Sequence, residues 1–384
     1  MSQPTVILLA AGESSRFWPL STHGHKSLHR LCGKAIIEHT VESLARAGFT
    51  DIVVVQSPIA RAAHFPHRTV ADQLKDGSRY RVAIRYVDQP EPLGQGDAIL
   101  RCVEQIDGDE FFLVQPENVN AGEVLSELAA VPGNVMAVQE QEQTWLFGVC
   151  AVDGNRVIDI VEKPAPGEEP SKLCSMAIAK LNRAYLTALR AGPADPISSV
   201  LALRRLAQDQ QLHYVRTEHP FFPLKYPWHL FAIADHLKPA GRPYLGEGVA
   251  VDPTAEVADD CVIEADTVIG PKVKLSKALI GAGSDIRSSA ADSIFGADVS
   301  IESGVTVETE PVTAGHVRVD VKGNEIDTNL PALGTTIGQG TEIDHDSVIS
   351  SGVLIGAQCQ IPVETKITQN LPDRSGDVEP ARRK

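Results

Sequence analysis

Apolar residues follow two rhythms along this chain. Up to about Asn182, short apolar runs alternate with stretches of helical spacing. Val6–Leu9, Asp51–Val55, Val82–Tyr86 and Phe111–Val114 read as strands. Lys34–Ala47 puts Ile37, Val41 and Leu44 on one helical face and ends at Gly48, and Ala98–Gln105 reads as a second helix. This alternation predicts an α/β domain, a mostly parallel sheet covered by helices on both faces, with ligands at the carboxyl ends of the strands. From Val251 onward the period is six. Ile337, Ile343, Ile349, Ile355, Ile361 and Ile367 recur without a break, as do Val251, Val257, Ile263, Ile269 and Leu275, and then Phe295, Ile301 and Val307. A period of six is neither helical nor alternating. It predicts a parallel β-helix of hexapeptide repeats, in which each apolar residue points inward and stacks on the next coil. The breaks in register at 276–294 and 308–336 are expected to be loops. Lys238-Pro239-Ala240-Gly241-Arg242-Pro243 marks a boundary, so residues 1–238 are expected as the first domain and 244–372 as the second. Residues 373–384 are polar and expected to be a frayed tail.

The first predicted strand ends in Ala10-Ala11-Gly12, followed by Ser14, Ser15, Arg16 and, further on, Lys26. Small residues after a strand let the backbone approach a ligand, and their N–H groups can line an anion site. Arg16 and Lys26 would add the charge a polyphosphate demands. The loop is a candidate nucleotide-phosphate site, although neither GxxxxGK[ST] nor GxGxxG is present. An ordinary strand-to-helix turn is the other reading of the same residues.

Composition narrows the partners. The net charge of −15 argues against a general nucleic-acid binder and leaves phosphate binding to local cations. No apolar stretch is long enough to span a bilayer, and the N-terminus lacks the basic region of a signal peptide. The six cysteines are scattered with no CxxC pair, which fits reduced thiols and a cytoplasmic protein.

Several motifs carry a family resemblance across nearly the whole chain. Ala10-Ala11-Gly12, Arg16, Pro19-Leu20 and Lys26 are similar to the signature loop of the sugar-1-phosphate nucleotidyltransferases. Gln89-Pro90-Glu91-Pro92-Leu93-Gly94 resembles their base-binding loop, and Phe147-Gly148-Val149 with Glu162-Lys163-Pro164 resembles their sugar-binding segment. With the hexapeptide repeats, the chain resembles the archaeal-type bifunctional branch of that family, in which a left-handed β-helix follows the nucleotide-diphospho-sugar transferase domain. The resemblance implies a Rossmann-like mixed sheet and, as partners, a nucleoside triphosphate and a sugar 1-phosphate. It implies that Arg16 holds the β- and γ-phosphates, Lys26 the transferring phosphoryl group, Lys163 the sugar phosphate and Glu162 the sugar hydroxyls. Gln89 and Gly94 would read the base. It also implies Mg²⁺, with Glu117 as ligand, and a homo-oligomer assembled through the β-helix.

The sequence departs from that pattern at several positions. Pro116-Glu117 stands where the family has Gly-Asp, and Pro223 where a second metal-binding Asp or Asn belongs. Ser175 and Ala177 replace the Asn and Gly that touch the sugar. The stretch Arg287–Ser293 lacks the histidine of the family's acetyltransferases, while His316 and His345 read as ordinary loop residues. Three functions compete: a working nucleotidyltransferase with an altered metal site, a binding or regulatory homologue with weak or no turnover, and an acyltransferase acting through the β-helix alone. The first is the expectation taken forward.

Overall fold

Each apolar run read as a strand forms one in the computed structural model, which describes residues 4–21, 24–58, 68–193, 195–311 and 315–376. In chain order the strands up to the repeats are β1 (Thr5–Ala10), β2 (Arg30–Leu31), β3 (Lys34–Ala35), β4 (Asp51–Gln56), β5 (Ala83–Asp88), β6 (Glu110–Val114), β7 (Asn134–Glu140), β8 (Gly148–Asp153), β9 (Arg156–Glu162), β10 (Leu173–Asn182) and β11 (Leu212–Arg216). The helices are α1 (Ile36–Arg46), α2 (Val70–Leu74), α3 (Gln95–Arg101), α4 (Ala121–Ala129), α5 (Arg183–Ala191), α6 (Ser198–Gln208) and α7 (Leu230–Leu237). The chain folds as two units, one of residues 1–13 with 36–223 and the other of 14–35 with 224–384.

The first unit is built on a nine-stranded sheet of order β5-β4-β1-β6-β10-β7-β11-β9-β8. Strands β5, β4, β1 and β6 are parallel, whereas β10 runs antiparallel to β6 and β7. The mixed sheet is thus parallel over its first four strands and again between β7 and β11. β1 is buried along its whole length between β4 and β6, which is why its sequence is continuously apolar rather than alternating. Two helix boundaries differ from expectation. Lys34-Ala35 pairs with Arg30-Leu31 as a hairpin, so α1 starts at Ile36. The stretch read as one helix over Ala98–Gln105 splits into α3 and a separate 3₁₀ turn, Val103–Gln105.

The second unit is the β-helix, three stacks of two-residue parallel strands. Ile337 lies beside Ile355, Ile343 beside Ile361 and Ile349 beside Ile367, each eighteen residues on, which is three hexapeptides per coil. These inward residues form one continuous core with Ile263, Ile269, Leu275, Phe295 and Ile301. The two register breaks are not simple loops. Residues 276–294 continue the coil: strands Lys274–Ile280 and Ala290–Phe295 run side by side, with Leu275 opposite Ala290. This coil advances fifteen residues because a straight strand replaces a corner turn. The second break is an insertion carrying a hairpin, Arg318–Val321 against Asn324–Asp327, after which Phe295 finds its neighbour in Ile337.

Residues 14–35 and 224–238 were expected with the first domain and pack instead with the repeats. On one face of the β-helix the outward residues Val262, Leu279, Ile294 and Leu354 are apolar and buried. Leu354 joins Tyr226, Trp228, Val317, Val319 and Leu333 in one apolar cluster, with Trp18 and Phe231 packed against it. Covering that face is what draws the two segments in. Of the expected tail, 377–384 lie outside the described residues. Asp373 is engaged, accepting from the Ala357 N–H at 2.8 Å.

Candidate active site

The parallel strands deliver their carboxyl ends to one rim of the first unit. Ala10 ends β1 and Ala11 follows it, both with buried side chains, and Gly12 comes next in the open. The neighbouring β6 ends in a turn of its own. Asn118 Oδ1 accepts from the Gln115 N–H at 3.2 Å, and Thr40 of α1 donates to the Pro116 carbonyl at 2.9 Å. These bonds fix the turn that carries Glu117, whose side chain is buried. At the end of β5, Gln89 is 3% exposed and its Nε2 donates to the Gly94 carbonyl at 3.0 Å and to Asp97 Oδ2 at 2.8 Å. Gln89 therefore braces the loop that Gly94 closes. Gly94 has φ +92°, and a Cβ there would meet Pro196 Cα at 2.8 Å, so both conformation and space require glycine.

Glu162 and Lys163 reach the same rim through strand register. β10 runs past the end of β6: Ala179 pairs with Leu113, and Leu173 to Met176 extend beyond. Cys174 pairs with Val149, next to Gly148, whose partner is Glu162. Lys163 follows with φ +47°, held there as its N–H donates to the Phe147 carbonyl at 2.9 Å. Its Nζ lies 3.4 Å from Glu162 Oε1, with the lysine side chain 55% exposed. A non-glycine residue at positive φ with a charged tip is a place where backbone strain accompanies function. Ala177 sits in the β10 irregularity between Ser175 and Ala179 at φ +55°, where glycine would be unstrained.

The segment after β11 crosses this rim. Gln139 Nε2 donates to the His219 carbonyl at 3.1 Å, Asn120 Nδ2 to the Pro220 carbonyl at 2.8 Å, and Phe221 lies 5.6 Å from Phe147. Pro223 ends it, and supplies no carboxylate. Among the described residues no three His, Cys, Asp or Glu side chains converge as a metal cluster. The donors on the β6 turn are Glu117 and, three residues on, the buried Asn120 Oδ1, which accepts no hydrogen bond. That set does not fit a resident metal caged by protein carboxylates. Sequence reasoning missed Asn120; its offset after Glu117 in a strand-end turn was the available signal.

Arg16 and Lys26 belong to the second unit. Arg16 is exposed on a 3₁₀ turn, Ser15–Phe17, with its guanidinium 5.9 Å from the Tyr226 ring centre. Lys26 opens another, Lys26–Leu28; its N–H donates to Ser14 Oγ at 2.9 Å and its Nζ to the Leu224 carbonyl at 2.7 Å. Burial and the Lys26 charge push the neighbouring His25 down to about 3, and burial pushes His29 down to about 4. Elsewhere in this unit, Arg287–Ser293 carries no histidine loop but leads into a regular strand. His316 Nδ1 meets Asp327 Oδ1 at 3.2 Å and His345 Nδ1 meets Ser303 Oγ at 3.2 Å, both exposed.

A mixed sheet with this rim, followed by a left-handed β-helix, defines a nucleotide-sugar transferase class of fold. Residues 5–214 match the nucleotidyl transferase family model, and the chain belongs to that family. It is 23% identical to the bifunctional protein GlmU of Methanococcus maripaludis, with 96% of each chain covered. It is 25% identical to the bifunctional sugar-1-phosphate nucleotidylyltransferase/acetyltransferase of Sulfurisphaera tokodaii, covering 92% of this chain and 94% of that one. Among solved structures, a glucose-1-phosphate thymidylyltransferase from Bacillus anthracis superimposes with a TM-score of 0.52 at 19% identity, over 62% of this chain and 97% of its own, a likeness of fold. Among the described residues no helix is long and apolar enough to cross a membrane.

Proposed function

We propose that this enzyme joins a nucleoside triphosphate to a sugar 1-phosphate, releasing pyrophosphate. A phosphate oxygen of the sugar 1-phosphate attacks the α-phosphorus in line, the bond from that phosphorus to the bridging oxygen breaks, and pyrophosphate leaves. No covalent intermediate on the protein is needed, so catalysis is positioning and charge neutralisation. Lys163 receives the sugar phosphate and Glu162 the sugar hydroxyls. The Ala10–Gly12 backbone and the Gln89–Gly94 loop take the nucleotide. Arg16 holds the β- and γ-phosphates and Lys26 the transferring phosphoryl group. The observation that carries this reading is the convergence of β1, β5 and β6 ends with Glu162-Lys163 on one rim.

Mg²⁺ enters with the triphosphate as part of the substrate. It keeps most of its own waters and needs few protein oxygens. Glu117 is the carboxylate offered to it. The enzyme works in the cytoplasm as a homo-oligomer formed through the β-helix. Pyrophosphate release from UTP or dTTP with glucose 1-phosphate and Mg²⁺ tests the reaction, and Glu117→Ala is expected to lower it roughly tenfold or more. One observation favours the regulatory reading instead: Pro223 and the strained Ala177 stand where ligand-binding residues are expected. Nucleotide binding by titration calorimetry with no turnover across a panel of triphosphates and sugar phosphates would establish it.

A further inference from the structure

We infer that the repeat unit holds the triphosphate-binding cations in place, with Trp18, Glu264, Lys322 and Asp373 as positioning residues for Arg16 and Lys26. This rests on the reading of those two cations as nucleotide ligands. Among its described residues the segment Ser14–Ala35 has little regular structure of its own, only two 3₁₀ turns and a short hairpin of two-residue strands. A segment with so few internal hydrogen bonds takes its shape from what it packs against. Here the anchors come from three separate places in the repeat unit. Glu264, on the second coil and 3% exposed, accepts the Gly33 N–H on both carboxylate oxygens at 3.1 Å. This pins a hairpin turn whose two residues, Cys32 and Gly33, both have positive φ. Asp373, past the last coil, accepts the Trp18 Nε1–H at 3.0 Å through the same Oδ1 that takes the Ala357 N–H. Lys322, at the tip of the inserted hairpin, donates to Ser15 Oγ at 3.1 Å.

Arg16 is thus flanked on both sides by residues tied to the repeats, Ser15 and Trp18. Its guanidinium rests near Tyr226, which stacks on Trp228 at 4.6 Å with the rings 10° apart. Lys26 is bounded by its own bond to Leu224 and by the Gly33 anchor. A β-helix serving only for assembly would not require bonds to the two residues that bracket a phosphate-binding arginine. Its end coil and its insertion are instead the framework that holds these two cations, and nucleotide bound by them should in turn stabilise the repeats, since coupling is reciprocal.

The full chain titrated with UTP and with dTTP, each with MgCl₂, tests this. Arg16→Ala is expected to weaken binding roughly tenfold or more. Asp373→Ala and Trp18→Phe are expected to weaken it roughly five- to tenfold with the cooperative melt retained. Asp373→Asn keeps the accepting oxygen and should bind as the wild type does. In turnover, KM for the triphosphate should rise in Trp18→Phe while KM for glucose 1-phosphate holds, because Glu162 and Lys163 belong to the other unit; a general loss of structure would move both. If Arg16→Ala weakens binding and Asp373→Ala and Trp18→Phe do not, the positioning role is overturned and the nucleotide reading stands. If Arg16→Ala binds normally, both fall. Should Asp373→Ala fail to fold, Trp18→Phe, which removes the indole N–H and keeps an aromatic ring, decides.

Discussion

Ala177 shows what a single methyl group does at this rim. Its φ of +55° puts Cβ close to the following carbonyl, a cost glycine does not bear. Ala177→Gly is expected to raise stability by about 1 kcal/mol, read as a higher urea midpoint at unchanged slope. If the methyl group also crowds the sugar, the same change will lower KM for the sugar phosphate. His25 and His29 set the acid side of the stability curve. Their folded pKa values, about 3 and about 4, lie below the ordinary histidine value. Between those values and about 6.5 the unfolded chain binds more protons than the folded one, so stability falls as pH falls through that window. The melting temperature should therefore drop from pH 7 to pH 4.5, and the drop should shrink when both histidines are replaced by glutamine. The spacing of Gln89 and Gly94 was legible as a loop. That Gln89 spends its amide on bracing Gly94 was not, because a hydrogen-bond partner five residues away is chosen by the fold.

At the scale of elements, the hexapeptide period marks the inward residue of each rung, and the residue just before it faces outward. That outward residue is apolar at Val262, Leu279, Ile294 and Leu354 on one face, but Asp285, Ser300, Glu342 and Gln360 on another. The first face is covered and the second is open. Val268, on the open face, is 44% exposed, against 3% for Leu279. Leu279→Ser is accordingly expected to cost about 3 kcal/mol in chemical denaturation and Val268→Ser less than about 0.5 kcal/mol, although both occupy the same repeat position. The glycines of the turns stack as tightly. A Cβ on Gly281 would come within 2.4 Å of the Gly296 carbonyl carbon, so Gly281→Ala should cost about 2 kcal/mol or more.

At the scale of the whole molecule, the units do not follow the order of the chain. Residues 14–35 leave the first unit after thirteen residues and return to it at Ile36. A domain boundary placed at one linker misses this, since composition marks a linker but not a segment borrowed by its neighbour. Light scattering of the full chain is expected to give a multiple of the monomer mass, and a monomer would remove the proposed assembly through the β-helix.

Periodicity by itself determined the strands of the parallel half-sheet, the six-residue rungs and the small-residue turn after β1, because burial on two faces, on one face or at a turn each leaves its own spacing of apolar residues. Only the tertiary structure decided which side chains meet. The straightened coil at 276–294, the rim shared by Glu117 and Lys163, and the attachment of Arg16 to Asp373 by way of Trp18 all join residues far apart in the chain. Contacts of that kind come from packing in three dimensions, which no local spacing records.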